Sequence, residues 1–178
     1  MTTLQNCGFN VIWLTHNVAD RYSTGSMVQL RLQDQFVQAW LNRLSNEDDF
    51  VNYRLFKSQI DREWYLDVLP DYLLYSFIEF RTGSFYLPVN SKKILDKPRN
   101  ERFCHLCSEN ELGDEFHYLF KCKTLNDIRK EYLPKYYYMS PNVVKMHEIL
   151  NTRKVKLLVR TAKFIYAGLK IIKRVPLR

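Results

Sequence analysis

Glycine and proline are scarce, with 5 and 6 residues in a chain of 178. So few obligatory turns argue against a turn-rich β-sandwich and for helices joined by short connections. No stretch approaches the roughly 18 to 20 uninterrupted apolar residues needed to span a bilayer, and the apolar C-terminal segment is broken by lysines. The first residues, MTTLQNCGFNVIWLTHNV, lack a basic segment leading into an apolar run and a small-residue cleavage site. They do not read as a signal peptide, so an intracellular protein, nuclear or cytoplasmic, is expected, with no membrane partner. Cysteine numbers only 4. In a reducing compartment these remain thiols, and a closely spaced pair reads as a metal site rather than a disulfide.

Catalytic signatures are missing as well. The chain has no Tyr-x-Asp-Asp pair of polymerase type, no Gly-rich phosphate loop, no nucleophile elbow and no HExxH. Asp48 and Asp49 fall in a polar turn context, and Asp114 and Glu115 have no evident third carboxylate partner for nuclease chemistry. Catalysis by this chain alone is therefore not expected.

What is present suffices for a core: 46% of residues are hydrophobic and 15% aromatic. The expected fold is mainly α, a helical domain with a small zinc-knuckle insertion and a C-terminal basic amphipathic helix. Residues 1–26 read as a weakly ordered lead-in. Residues 27–83 form a helical region: Val28, Leu30, Val37, Trp40, Leu41 and Leu44 have the spacing of a core helix, ended by Ser45 and Asn46, and shorter helical patterns follow around 52–58 and 61–69. Pro70 suits the first turn of the next helix, and Gly83 its stop. Residues 84–103 read as a polar, basic linker marked by Pro88 and Pro98. Within 123–178, Thr124 and Asp127 have capping-box spacing, Ser140 and Pro141 suit an N-cap and first-turn pair, and Thr152 suits the cap of the last helix.

Residues 104–122 carry the strongest signal, Cys104-x2-Cys107-x9-His117-x4-Cys122. Two cysteines two residues apart curl around one edge of a metal ion, and a His and a Cys on a helical or near-helical turn supply the other. Three thiolates and an imidazole suit tetrahedral Zn²⁺, and a closed four-ligand shell leaves no position for an activating water, so the zinc is expected to be structural. His105, between the knuckle cysteines, is placed on the surface, and Cys7, His16 and His147 are assigned no role.

Net charge is +8, and its location matters more than its size. From Thr152 to Arg178 there are nine basic residues and no acidic one, which leaves residues 1–151 slightly acidic. In this tail Val155, Leu158, Ala162, Ile165, Leu169 and Ile172 form one helical stripe, and Arg153, Lys156, Arg160, Lys163, Lys170 and Arg174 form another about 200° away. A basic stripe of this kind neutralises phosphates, so RNA or DNA is the expected partner, with Lys92, Lys93, Arg99 and Arg102 as further phosphate contacts. Phe103, Phe116 and Tyr118 are candidates to stack on bases, although packing against the knuckle is the expected use of at least two of them.

Three segments together carry a resemblance: Phe80-Arg-Thr-Gly-Ser-Phe-Tyr-Leu-Pro-Val89, Pro98-Arg-Asn-Glu-Arg-Phe-Cys-His-Leu-Cys107 and Leu112-Gly-Asp-Glu-Phe-His-Tyr-Leu-Phe-Lys-Cys122. They resemble the region after the polymerase core in LINE-type, or non-LTR, retrotransposon reverse transcriptases. The resemblance implies that Cys104, Cys107, His117 and Cys122 are metal ligands in a module that helps hold template RNA or target DNA, with other retrotransposon protein domains as further partners. It transfers nothing catalytic, because the endonuclease and polymerase domains of such an element lie outside this sequence. The competing expectations are a protein-interaction scaffold and an inactive remnant of a truncated element.

Overall fold

Asp20 starts the first helix. Its carboxylate oxygens accept hydrogen bonds from the backbone N–H groups of Tyr22 and Ser23 at 3.1 and 3.2 Å, satisfying donors that the first helical turn leaves open. Helix α1 runs Arg21–Asn46, so residues 21–26, expected in the lead-in, are helical and Gly25 lies inside the helix. The computed structural model describes residues 20–46, 53–57, 59–84, 86–90 and 96–176. The chain divides into two compact units, Met1–Glu47 and Asp48–Arg178. In the first unit α1 keeps the expected three-and-four spacing: Leu44 is buried and Val28, Val37 and Trp40 are half-buried, while Leu30 and Leu41 are exposed.

The second unit begins with single 3-10 turns at Tyr53–Leu55 and Trp64–Asp67, shorter than the helical segments expected there. Pro70 caps α2, Asp71–Thr82, with its carbonyl accepting from Leu73 and Leu74 N–H at 2.9 Å. Gly83 ends it in the left-handed region at φ 68, where a side chain would be strained. The segment read as a linker contributes core instead: Leu87 and Val89 are fully buried in and beside a 3-10 turn at Pro88–Asn90. Composition marks this stretch as polar, but its apolar residues are clustered and dock together.

Four further α-helices lie among the described residues of the unit: α3, Asn126–Tyr132; α4, Lys135–Tyr138; α5, Val143–Leu150; and α6, Val155–Arg174. Two capping assignments differ from the sequence reading. Thr124 Oγ1 donates to the Leu106 carbonyl at 2.7 Å instead of capping α3. Asn142, not Ser140, caps α5, accepting from Lys145 N–H at 2.9 Å. Thr152 accepts from Lys154 N–H at 3.2 Å, just ahead of α6.

Helix α6 is the central element, packed against α2, α3 and α5. Leu158, Ala162, Ile165, Leu169 and Ile172 are buried as their spacing predicts, while Val155 is exposed at the helix start. The architecture is mainly helical, with an isolated antiparallel bridge between Phe103 and Leu112 and no strands among the described residues. No described helix is long and apolar enough to cross a membrane.

Two glycines test this packing in opposite directions. A Cβ on Gly168, inside α6, would lie at ordinary contact distance, 3.7 and 3.8 Å, from Leu125 and Ile128. Gly168→Ala is expected to raise stability by about 0.5–1 kcal/mol by removing helix-interior backbone freedom. A Cβ on Gly113 would meet Pro88 Cγ at 2.7 Å, so Gly113→Ala is expected to lower stability. Urea unfolding of both variants measures the two signs.

Candidate metal centre

A small hairpin builds half of the site. The Phe103–Leu112 bridge is flanked by hydrogen bonds from Cys104 N–H to the Glu111 carbonyl, 2.8 Å, and from Gly113 N–H to the Arg102 carbonyl, 2.9 Å. Asn110, at φ 51, makes part of the reversal in a conformation that Asn tolerates better than most residues. The chain thus leaves and re-enters the bridge with Cys104 and Cys107 on the intervening knuckle. Leu106 N–H points at Cys104 Sγ at 3.4 Å.

The other half is a π-type turn, His117–Lys121. Asp114 opens this segment, its Oδ1 accepting from His117 N–H at 2.8 Å. On an α-helix, residues five apart are rotated by about 500°, or roughly 140° from alignment. The wider π turn brings them closer to one face, and the Cys122 N–H to His117 carbonyl bond, 2.8 Å, closes it. Cys122 then leaves the helical region at φ -50, ψ 118. The unusual turn is the local device by which an H-x4-C spacing presents both ligands to one point.

The four donor atoms lie within 4.8 Å of one another. Cys104 Sγ and Cys122 Sγ are 3.9 Å apart, and Cys107 Sγ and His117 Nε2 are 3.3 Å apart. Tetrahedral zinc with Zn–S of about 2.3 Å and Zn–N of about 2.0–2.1 Å requires S···S near 3.8 Å and S···N near 3.5 Å. The cluster therefore fits a metal ion of this size, and Cys104, Cys107, His117 and Cys122 can hold one.

The surroundings orient the ligands. Glu111 Oε2 lies 3.1 Å from His117 Nδ1, which leaves Nε2, the nitrogen facing Cys107, for the metal. Glu111 also pairs with Lys121 at 3.1 Å, and its carboxyl is held below the usual range chiefly by the bond to His117. The hydrogen bond with Cys122 holds the Cys104 thiol down at about 3 and pushes Cys122 up, while burial raises Cys107. Burial pulls His117 down, but Cys104 and Glu111 more than reverse this and leave it raised. These contacts favour the thiolate at Cys104 and the protonated form at Cys107, Cys122 and His117.

Arg129, only 2% exposed, completes the cradle. Its Nε donates to the Leu119 carbonyl at 2.9 Å, and its Nη2 to the carbonyls of Cys122 and Tyr118 at 2.9 and 3.3 Å. The turn carrying two ligands is therefore tied off by one guanidinium from α3. Three thiolates on a divalent ion leave a net negative charge, and Arg129 places a buried positive charge beside it. Neither Glu111 nor Arg129 was read from the sequence, because neither lies in the ligand spacing and only the folded hairpin and turn bring them to it.

His105 stays out of the cluster, as expected, yet it is not a free surface residue. Its Nδ1 lies 3.0 Å from Tyr118 Oη and its Nε2 3.3 Å from the Ile172 carbonyl of α6. Tyr118 is buried, Phe116 packs edge-on against Phe120, and Phe103 is the exposed ring of the three.

The basic residues divide by use. Lys92 and Lys93 lie outside the described residues. Arg102 is buried, donating to the Val89 and Lys97 carbonyls at 2.8 and 2.9 Å, and half-buried Arg99 donates to Val89 at 3.3 Å. Arg160 donates to the Tyr132 and Glu131 carbonyls at the end of α3. Arg153 lies over the Trp64 ring at 5.8 Å. Lys156, Lys163, Lys170 and Arg174 are exposed along α6. Comparison with protein-family models, curated proteins and solved structures finds no match for the chain. The resemblance to LINE-type reverse transcriptases accordingly rests on the motif residues themselves.

Metal loading must displace protons from Cys107, Cys122 and His117, whose pKa values are raised, but not from Cys104. Affinity should therefore rise with pH and fall on acidification; chelator competition at about pH 6 and about pH 8 measures the sign. Glu111→Ala is expected to weaken metal binding about 10–100-fold in the same assay, with the helical circular dichroism of the loaded protein retained.

Proposed function

We propose that this chain is a non-catalytic nucleic-acid-binding segment, stabilised by structural zinc, of the kind found after the polymerase core of LINE-type reverse transcriptases. Three thiolates and one imidazole favour zinc among common metals, and the closed shell makes its role architectural.

The observation that carries the reading is the outer face of α6. Lys156, Lys163 and Lys170 recur every seven residues, a spacing of about 10.5 Å along the helix with only about 20° of drift, and Arg174 extends the row by one turn. None of these four is ion-paired with a carboxylate among the described residues. An unneutralised row of cations on a rigid helix suits a phosphate backbone, RNA or DNA, and gives affinity without sequence specificity. Zinc supports this face through His105, which sits between two metal ligands and reaches the Ile172 carbonyl near the end of the row. A nuclear or cytoplasmic location follows from the same reading.

A second reading, a scaffold for other retrotransposon protein domains, draws on α1, where Met27, Leu30, Phe36 and Leu41 are exposed. Ionic strength separates the two: phosphate contacts weaken steeply with salt, whereas an apolar interface barely responds.

Protein purified without added metal is expected to carry one zinc per chain, lost in Cys107→Ser. Intact protein should bind single-stranded RNA or DNA with a steep salt slope, and Lys156→Glu combined with Lys163→Glu should reduce both affinity and slope. A zinc-free, well-folded chain, or binding indifferent to salt, would overturn the proposal.

A further inference from the structure

Helices α2 and α6 pack side by side. Tyr72 of α2 meets Tyr166 of α6 edge-on, with ring centroids 5.5 Å apart, and Glu79 of α2 meets Lys173 of α6 at 3.8 Å. From the first contact to the second, both chains advance by seven residues, about 10.5 Å along a helix axis. The two helices therefore run parallel, with these contacts forming the seam between them.

Rotation then decides which side chains share the outer surface. At about 100° per residue, Tyr72 and Glu79 are turned about 60° and 40° from Tyr75 in one sense, and Tyr166 and Lys173 about 40° and 60° from Lys170 in the opposite sense. The seam thus lies on opposite flanks of Tyr75 and Lys170, as it must where two parallel neighbours look out over one surface. Tyr75 is 72% exposed and Tyr72 54%, and Lys163, Lys170 and Arg174 are exposed on α6. Two open rings stand beside the cation row.

The contacts on the seam hold this arrangement. Lys170 Nζ lies 4.1 Å from the centre of the Tyr166 ring, so the half-buried ring of Tyr166 positions the cation while Tyr72 braces the ring from α2. Glu79, the carboxylate on the seam, is met by Lys173 and does not cancel the row.

Ammonium groups in a row suit phosphates. An open phenol ring suits a flat π face, and a nucleic acid offers one where its bases are unpaired, because in a duplex each face is covered by the next base pair. A duplex meets the cations and leaves the rings idle. We propose that α2 and α6 form one surface for a single nucleic-acid strand, with Lys163, Lys170 and Arg174 on its phosphates and Tyr72 and Tyr75 stacked on its bases. This rests on the nucleic-acid reading above and adds the strand form that is bound and the side chains that distinguish it from duplex. Every base has a π face, so the surface selects unpaired bases without selecting their sequence.

The test is a titration of the full chain with a fluorescently labelled deoxyoligonucleotide of mixed sequence, offered as a single strand and as a duplex with its complement, at several salt concentrations. The single strand is expected to bind about tenfold or more tighter than the duplex. Tyr75→Ala places a good helix former at an exposed position, so the circular dichroism should be unchanged. It should weaken single-strand binding by about fivefold or more and leave duplex binding and the salt slope as they were. Tyr75→Phe keeps the ring and should bind like the unaltered chain. A duplex bound as tightly as the single strand, an unchanged single-strand affinity in Tyr75→Ala, or a Tyr75→Phe variant as weak as Tyr75→Ala overturns this proposal, and salt-dependent binding in those cases leaves the nucleic-acid function standing. Binding of neither form overturns that function and this proposal together.

Discussion

Convergence of Cys104, Cys107, His117 and Cys122 on one point is the constraint from which most of the second unit follows. Three thiol-bearing residues and a histidine held within 4.8 Å are unstable company without a cation, because every thiolate formed raises the cost of the next. A bound divalent ion would remove that conflict. It would also add to the bonds by which Glu111 and His105 of the hairpin hold His117, Lys121 and Tyr118 of the π turn. Metal binding of this kind contributes on the order of 10 kcal/mol to folding, comparable with the whole stability of an ordinary domain. A bound ion would thus add to the packing of Cys104, Leu106 and Leu112 against the core, and the exposed residues at 108–110 are compatible with a well-defined structure.

The cluster is tied to the helical core from several directions. Arg129 draws the π turn onto α3, Thr124 holds the Leu106 carbonyl, and His105 reaches α6. A buried arginine without a carboxylate partner is normally expensive. Here three carbonyl acceptors solvate it, while burial still pulls its pKa down. The same residue closes a turn and offsets the charge of the metal cluster, so neither role is cleanly separable from the other.

The parts legible in the sequence are those governed by short-range rules. The ligand spacing predicted the four residues that the structure brings together. Pro70 and Gly83 bracket α2, and the apolar stripe from Leu158 to Ile172 is the buried face of α6. What the sequence did not disclose depends on distant partners. Leu87 and Val89 look like linker residues until the segment docks, and Arg102 looks like a phosphate ligand until the carbonyls of Val89 and Lys97 enclose it. Ser140 and Pro141 form a good local start signal, yet Ser140 adopts φ 65 and Asn142 caps the helix. Lone charged residues such as Glu111 and Arg129 have no periodicity to betray them.

Helix α6 explains why charge and packing can be so sharply separated in one element. Its buried face meets α2, α3 and α5, which fixes the rotation of the helix and therefore the direction of Lys156, Lys163 and Lys170. Arg160, lying between the two faces, is used at the C-terminal carbonyls of α3, where a cation is favoured by the helix dipole. Arg153, just before the helix, turns to Trp64. A helix held by its apolar face along its length and by His105 near its end cannot roll to bury or redirect these cations. Whatever anion meets this surface therefore encounters an arrangement set in advance by packing, which lowers the ordering cost of binding.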